Sequence, residues 1–236
     1  MPDSWRVVYE IQNRPDVATP IAGYPSLGVK LEYEGNSLVR LTHEFSPDET
    51  LSEDEAYGAS LRGLRVLWEL LEHERGEPPR LTRGSVTKLG APPRAVIAGR
   101  AQLKGSVIVV KPVSLPSDAA LAAAPERLAA WLSLSNQARQ ASSDVEAIRN
   151  YYMVWEDMNG VPADPGPEPE LELKYTRHFV SHGAELTDRK LLRFLEQRVA
   201  PGTNQFDPHN DVHVQFVAEQ RRKARALVEA ELTKRL

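Results

Sequence analysis

Residues 1–116 mix strand-like alternation with one strongly amphipathic stretch. Trp5-Arg6-Val7-Val8-Tyr9-Glu10-Ile11 reads as a strand, and a proline-punctuated loop follows it (Pro15, Pro20, Pro25). Val29 to Tyr33 alternates apolar and charged positions, and Ser37 to Phe45 continues in the same way. Glu34-Gly35-Asn36 between them marks a short hairpin turn. Ser52 with Glu55 three residues later has capping-box spacing. The helix predicted after it carries Leu61, Leu64, Val66, Leu67, Trp68, Leu70 and Leu71 as a broad apolar stripe and stops near Gly76. Two further strands are predicted over Ala95–Leu103 and Ser106–Val113, turning at Lys104-Gly105. The expected class for this half is α+β.

The period changes after Pro116. Between Pro125 and Met158 no proline or glycine occurs, and Leu128, Trp131, Ser135, Ala138, Ser142, Val145, Ile148, Tyr152 and Trp155 recur at three- and four-residue spacing. That pattern predicts one long helix ending at Asn159-Gly160. A loop with Pro162, Pro165, Pro167 and Pro169 follows. A second helix is predicted from Glu170 to His182, stopping at Gly183. A third, capped by Thr187, ends at Pro201-Gly202. A last helix, capped by Asp207-Pro208, runs to the C-terminus. The expected organisation is thus two domains, an α+β domain over 1–116 and an all-α bundle of four to five helices over 120–236.

Composition narrows the function classes. The chain has 236 residues and no cysteine, which removes disulfides, thiolate metal sites and cysteine nucleophiles. A formal charge of −4, from 29 basic and 33 acidic residues, gives no global basic field for nucleic acid, so any such contact must be local. The polar start MPDSWRVVYEIQ is not expected to be a signal peptide, and no apolar run approaches a membrane span. The expected location is cytoplasmic. No P-loop, GxSxG, HExxH or GxGxxG pattern occurs.

The second helix of the bundle ends in Lys174-Tyr175-Thr176-Arg177-His178-Phe179-Val180-Ser181-His182-Gly183, which contains Arg-x4-His. On a helical bundle, with a polar residue directly after the arginine and a glycine directly after the histidine, this resembles the HEPN superfamily. The stretch Glu146 to Asp157 looks like the first bundle helix of such proteins. The resemblance spans roughly 120–236 and implies a metal-independent endoribonuclease, without cofactor, acting on RNA as a homodimer with the two motifs facing each other. It implies Arg177, His182 and His178 as the site residues. Members that have lost activity serve only in binding or dimerisation. The toxin branch with a tyrosine two residues after the histidine is disfavoured, because Ala184 stands there.

The residue chemistry is compatible with RNA cleavage. Histidine serves as acid or base near neutral pH, and a guanidinium fork matches two phosphate oxygens. Five residues along a helix turn through about 140°, so Arg177 and His182 do not share one face; a second subunit or a distorted last turn must bring them together. Competing readings concern the other polar residues. His178/His182 and His209/His213 are i, i+4 pairs that, with Asp207 or Asp211, have metal-ligand spacing, although capping residues at a helix start have the same composition. Arg221-Arg222-Lys223-Ala224-Arg225 can track phosphates but reads better as a solvated face. Trp131, Tyr151, Tyr152 and Trp155 read as core, and Glu156 and Asp157 as helix-end carboxylates. The N-terminal domain carries no motif and is expected to restrain or direct the bundle, through a regulatory partner, as in stress or phage-defence effectors.

Overall fold

The computed structural model describes all residues except 1–2, 91–111, 165, 182–184 and 236. The described chain forms an antiparallel five-stranded sheet with helices, followed by a helical region, and divides into two compact units near residue 129. No described helix is long and apolar enough to cross a membrane.

In the first unit the strands are β1 (Ser4–Ile11), β2 (Gly23–Tyr24), β3 (Val29–Glu34), β4 (Ser37–Phe45) and β5 (Leu81–Leu89), in the order β2-β3-β4-β1-β5. Glu34 pairs with Ser37, so Gly35-Asn36 is a two-residue turn, and Gly35 takes φ +63° as such turns require. Strand alternation sorts the two faces. Trp5, Val7, Tyr9 and Ile11 are buried, and the last three share a core with Val29, Leu31, Leu38 and Leu41. Arg6, Glu10, Lys30, Glu32, Arg40 and Glu44 point out and pair as Arg6–Glu44–Lys30 and Glu10–Arg40–Glu32.

The capping box at Ser52 and Glu55 is formed, and the apolar stripe ends at Gly76 with φ +82°. The stripe nonetheless belongs to two helices, α1 (Glu53–Gly63) and α2 (Arg65–Arg75). Gly63 weakens the helix, and Leu64, with φ −95° and ψ 8°, turns the chain so that its own side chain is buried in the core. Strand β5 was not signalled. It is an edge strand exposed on much of both faces, so its pattern does not alternate, and Gly84 lies where the register with β1 shifts between Val7 and Tyr9. The strands expected over Ala95–Leu103 and Ser106–Val113 lie outside the described residues, except that Val113 bridges to Val17. A short helix, α3 (Asp118–Ala122), also groups with the sheet unit: Asp118 accepts from the Ser26 backbone N–H and hydroxyl, and Leu121 joins the core.

The second unit contains most of α4 (Leu128–Gln140), then α5 (Asp144–Asn159), α6 (Glu168–Ser181), α7 (Arg189–Arg198) and α8 (Asp211–Thr233). The single helix expected over 125–158 is therefore two. Ser143 caps α5 by accepting from the Glu146 N–H, and a residue that caps one helix cannot continue another. Arg221 of α8 closes the break. Its guanidinium donates to the carbonyls of Ala138, Arg139 and Ala141 and to the Asp144 carboxylate. The caps of α7 and α8 are Asp188 and Asn210, each accepting two backbone N–H groups, rather than Thr187 and Asp207. Asp207 instead accepts from the His209 N–H in the turn before α8.

Candidate functional site

Helices α5 and α6 run antiparallel along a seam that holds the predicted arginine. The inner face of α5 buries Ala147, Ile148, Tyr151, Tyr152, Val154 and Trp155, and that of α6 buries Leu173, Thr176, Phe179 and Val180. At the edge of the packing, Arg177 is partly exposed, and its guanidinium carbon lies 5.2 Å from the centroid of the Tyr152 ring. Among the described residues no carboxylate forms an ion pair with Arg177. Burial pushes the Tyr152 hydroxyl above the ordinary phenol range, and the Glu156 carboxylate beside it acts in the same direction.

One turn further along, α6 ends at Ser181. His182, Gly183 and Ala184 lie outside the described residues. His178 is half-buried and engaged within the chain. The end of α6 is held by a residue that sequence reasoning missed. Arg149, exposed on α5, donates from Nε to the Ser181 hydroxyl at 3.3 Å and from a terminal nitrogen to the Val180 carbonyl at 3.0 Å. It lies one turn before Tyr152 on its helix, as Ser181 lies one turn after Arg177 on the other. The seam therefore presents two guanidinium groups at successive levels. Arg149 stands within the stretch Glu146–Asp157, but nothing in the spacing along one helix indicates which end of another helix a side chain will reach.

The remaining candidates have structural occupations. In the Arg221–Arg225 run, Arg221 closes the α4–α5 break, Lys223 pairs with Glu172 and Glu219 at 3.1 Å each, and Arg225 pairs with Glu229 at 2.7 Å. Three of its four cations are thus neutralised within the fold. His213 is buried against Phe179 and Phe206, and its Nδ1 accepts from the Asp207 N–H at 3.1 Å. His209 precedes α8 in an exposed turn, so the His209/His213 pair does not lie on one helical face. Among the described residues no group of three or more His, Asp or Glu side chains is placed to hold a metal ion. Trp131, Tyr151 and Trp155 are core, and Asp157 accepts from the Trp131 indole N–H. In the first unit, His43, Ser60 and Tyr9 form a buried polar chain: Tyr9 donates to the Ser60 hydroxyl at 2.7 Å, which lies 2.8 Å from His43 Nδ1. Burial pushes the Tyr9 phenol up to about 12. A serine beside a histidine has the elements of a nucleophile pair, but Ser60 is fully buried and Tyr9 closes its other side.

No family model matches the chain, and no curated protein or solved structure matches it either.

Proposed function

We propose that the helical half is a HEPN-like, metal-independent endoribonuclease that works as a homodimer. The observation that supports this reading best is Arg177: a partly exposed guanidinium, seated on the Tyr152 ring, with no ion-pair partner among the described residues and one turn from the helix end that leads into His182. In this reading Arg177 holds the non-bridging oxygens of the scissile phosphate. Removal of the 2′-hydroxyl proton lets that oxygen attack phosphorus. The 5′-oxygen leaves and takes up a proton, with His182 as the transferring group. His178 positions substrate or the facing motif. The roughly 140° between Arg177 and His182 on a regular helix is the reason for two subunits, each completing the other's site. The N-terminal domain restrains or directs the bundle, in keeping with a stress or defence effector.

The second reading is a catalytically inactive bundle used for dimerisation or partner binding. The cation–π seat of Arg177 favours it, since a purely structural arginine between two helices makes the same contact. RNA cleavage by the purified protein in EDTA decides between the two, with wild type beside Arg177→Ala and His182→Ala. The nuclease reading expects EDTA-resistant cutting by wild type and a loss on the order of 10²–10⁴-fold in each variant. No cutting by any of the three, with the bundle folded and dimeric, leaves the binding module.

A further inference from the structure

We infer that Arg149 is a second phosphate-binding residue of the same site, fixed in place by the end of α6 and completing with Arg177 a two-guanidinium clamp for one RNA phosphate. This rests on the reading of Arg177 as a phosphate ligand.

The argument starts from how the other cations of this unit are used. Arg198, Lys190, Lys223, Arg225, Lys234 and Arg235 each meet a carboxylate. Arg149 and Arg177, like Lys174, Arg189, Arg193 and Arg222, have no ion pair among the described residues, yet neither side chain is loose. Arg149 is tied by two hydrogen bonds to Ser181 and Val180, and Arg177 lies on a ring. A guanidinium has five N–H donors. The bonds to Ser181 and Val180 use donors on Nε and one terminal nitrogen of Arg149, leaving the other terminal nitrogen unused within the described chain. Exposure of this residue puts those donors within reach of a ligand.

Position makes the two groups cooperate. Arg149 meets Ser181 while Tyr152 meets Arg177, so the positions that anchor the two guanidinium groups are spaced by three residues on α5 and four on α6, about 4.5–6 Å along the axis. Two like charges anchored on neighbouring turns of one seam repel each other modestly in water. An anion received between them removes that repulsion and meets donors whose orientation has already been restricted by the fold. A phosphate has the charge and the spread of oxygens to accept from both forks. The Glu156 carboxylate of the seam lies one turn beyond Tyr152, on the side away from Arg149, where it accepts from the Tyr152 hydroxyl at 3.4 Å and forms no ion pair with either arginine among the described residues.

The test is RNA binding with salt titration, using a short single-stranded 2′-O-methyl RNA, which keeps every phosphate and removes the attacking hydroxyl. Full-length wild type is compared with Arg149→Gln, Arg149→Lys and Arg177→Ala, and amide exchange over α6 monitors whether its last turn stays formed. The expected result is roughly tenfold weaker binding for Arg149→Gln, with the slope of log affinity against log salt reduced by about 0.7, the value for one lost contact to a single strand. Arg149→Lys, which keeps the charge, restores the slope. If Arg149→Gln binds with wild-type affinity and slope while Arg177→Ala is weakened, Arg149 only caps α6 and the clamp is overturned, with the Arg177 reading intact. If Arg149→Gln and Arg149→Lys weaken binding equally and both loosen the end of α6, the charge is irrelevant and the clamp is again overturned. Wild type that does not bind this RNA, or binding that neither arginine affects, removes the phosphate reading of the whole seam.

Discussion

The sheet unit and the helical unit are both rich in charged residues and dispose of them differently. On the outer face of the sheet, Arg6–Glu44–Lys30 and Glu10–Arg40–Glu32 pair every named charge with a counter-charge on a neighbouring strand, Lys30 reaching Glu44 diagonally. Inside the sheet unit one buried polar chain closes on itself. Tyr9 donates to Ser60, Ser60 lies against His43 Nδ1, and the imidazole bonds the Leu27 carbonyl. In the helical unit Arg221 closes the break between α4 and α5 and α8 pairs most of its cations, but Arg149 and Arg177 are held by a carbonyl, a hydroxyl and a ring instead of by carboxylates. Exposed ion pairs contribute on the order of 0–1 kcal/mol each, so the pairing on the sheet matters mainly because it uses up binding capacity. A cation that the fold positions without neutralising keeps that capacity. This contrast is the reason the proposed chemistry is sought on the α5–α6 seam rather than on the sheet.

Four perturbations sharpen this contrast, each read by amide exchange of peptides from the two units and by denaturant unfolding. The largest effect is expected from Phe179→Ala. Phe179 is fully buried and meets Phe206, His213 and Phe216 edge-on, so its loss should cost about 3–5 kcal/mol and show first in the helical unit. Wild-type exchange in α6 and α8 would refute the central place given to that aromatic cluster. Gly28→Ala acts on the other unit. Gly28 has φ +66°, and a Cβ there would run into the Glu44 carbonyl oxygen, so about 2–3 kcal/mol of strain is expected, confined to the strands around it.

Acid separates the units without mutation. His43 is buried among uncharged groups: Ser60 from α1, Tyr9 from β1, the Leu27 carbonyl, and Val7 and Val29 on the strands beside it. Burial lowers its pKa below the ordinary 6.5, so the unfolded chain takes up the proton first. The stability that neutral His43 contributes is complete above pH 6.5 and is lost as pH falls from there towards the folded-state pKa, at up to about 1.4 kcal/mol per pH unit. The sheet unit should therefore loosen on mild acidification, and His43→Gln should flatten that dependence. The smallest effect belongs to Ser143→Ala, which removes the cap of α5 and should cost about 1 kcal/mol, seen as faster exchange over residues 144–147.

Most of the elements were legible because each rests on a local rule. The β3–β4 hairpin followed from alternation around Gly35-Asn36, the start of α1 from the reciprocal bonds of Ser52 and Glu55, and the end of α2 from Gly76. The helical class of residues 128–233 followed from three- and four-residue spacing. The breaks were harder to see. Apolar periodicity runs through Ala141-Ser142-Ser143 with little phase change, and the competing Ser143 cap is decisive only because Arg221, 78 residues away, supplies donors for the carbonyls the break exposes. For the site, Arg177 and His178 were singled out from sequence, whereas Arg149 was not.

The sequence by itself determined the order of a sheet-forming half and a helical half, the apolar faces that each buries, and the exclusion of cysteine-based chemistry. Those properties depend on residue type and on periods of two and 3.6, which are local to the chain. Tertiary structure alone decided which charges are cancelled. The cations of α8 find Asp144, Glu172 and Glu229, Arg149 reaches the end of α6, and Arg177 meets an aromatic face. Electrostatic pairing acts over a few ångströms in space, so only the packing of α5, α6 and α8 separates a neutralised charge from one still able to bind a ligand.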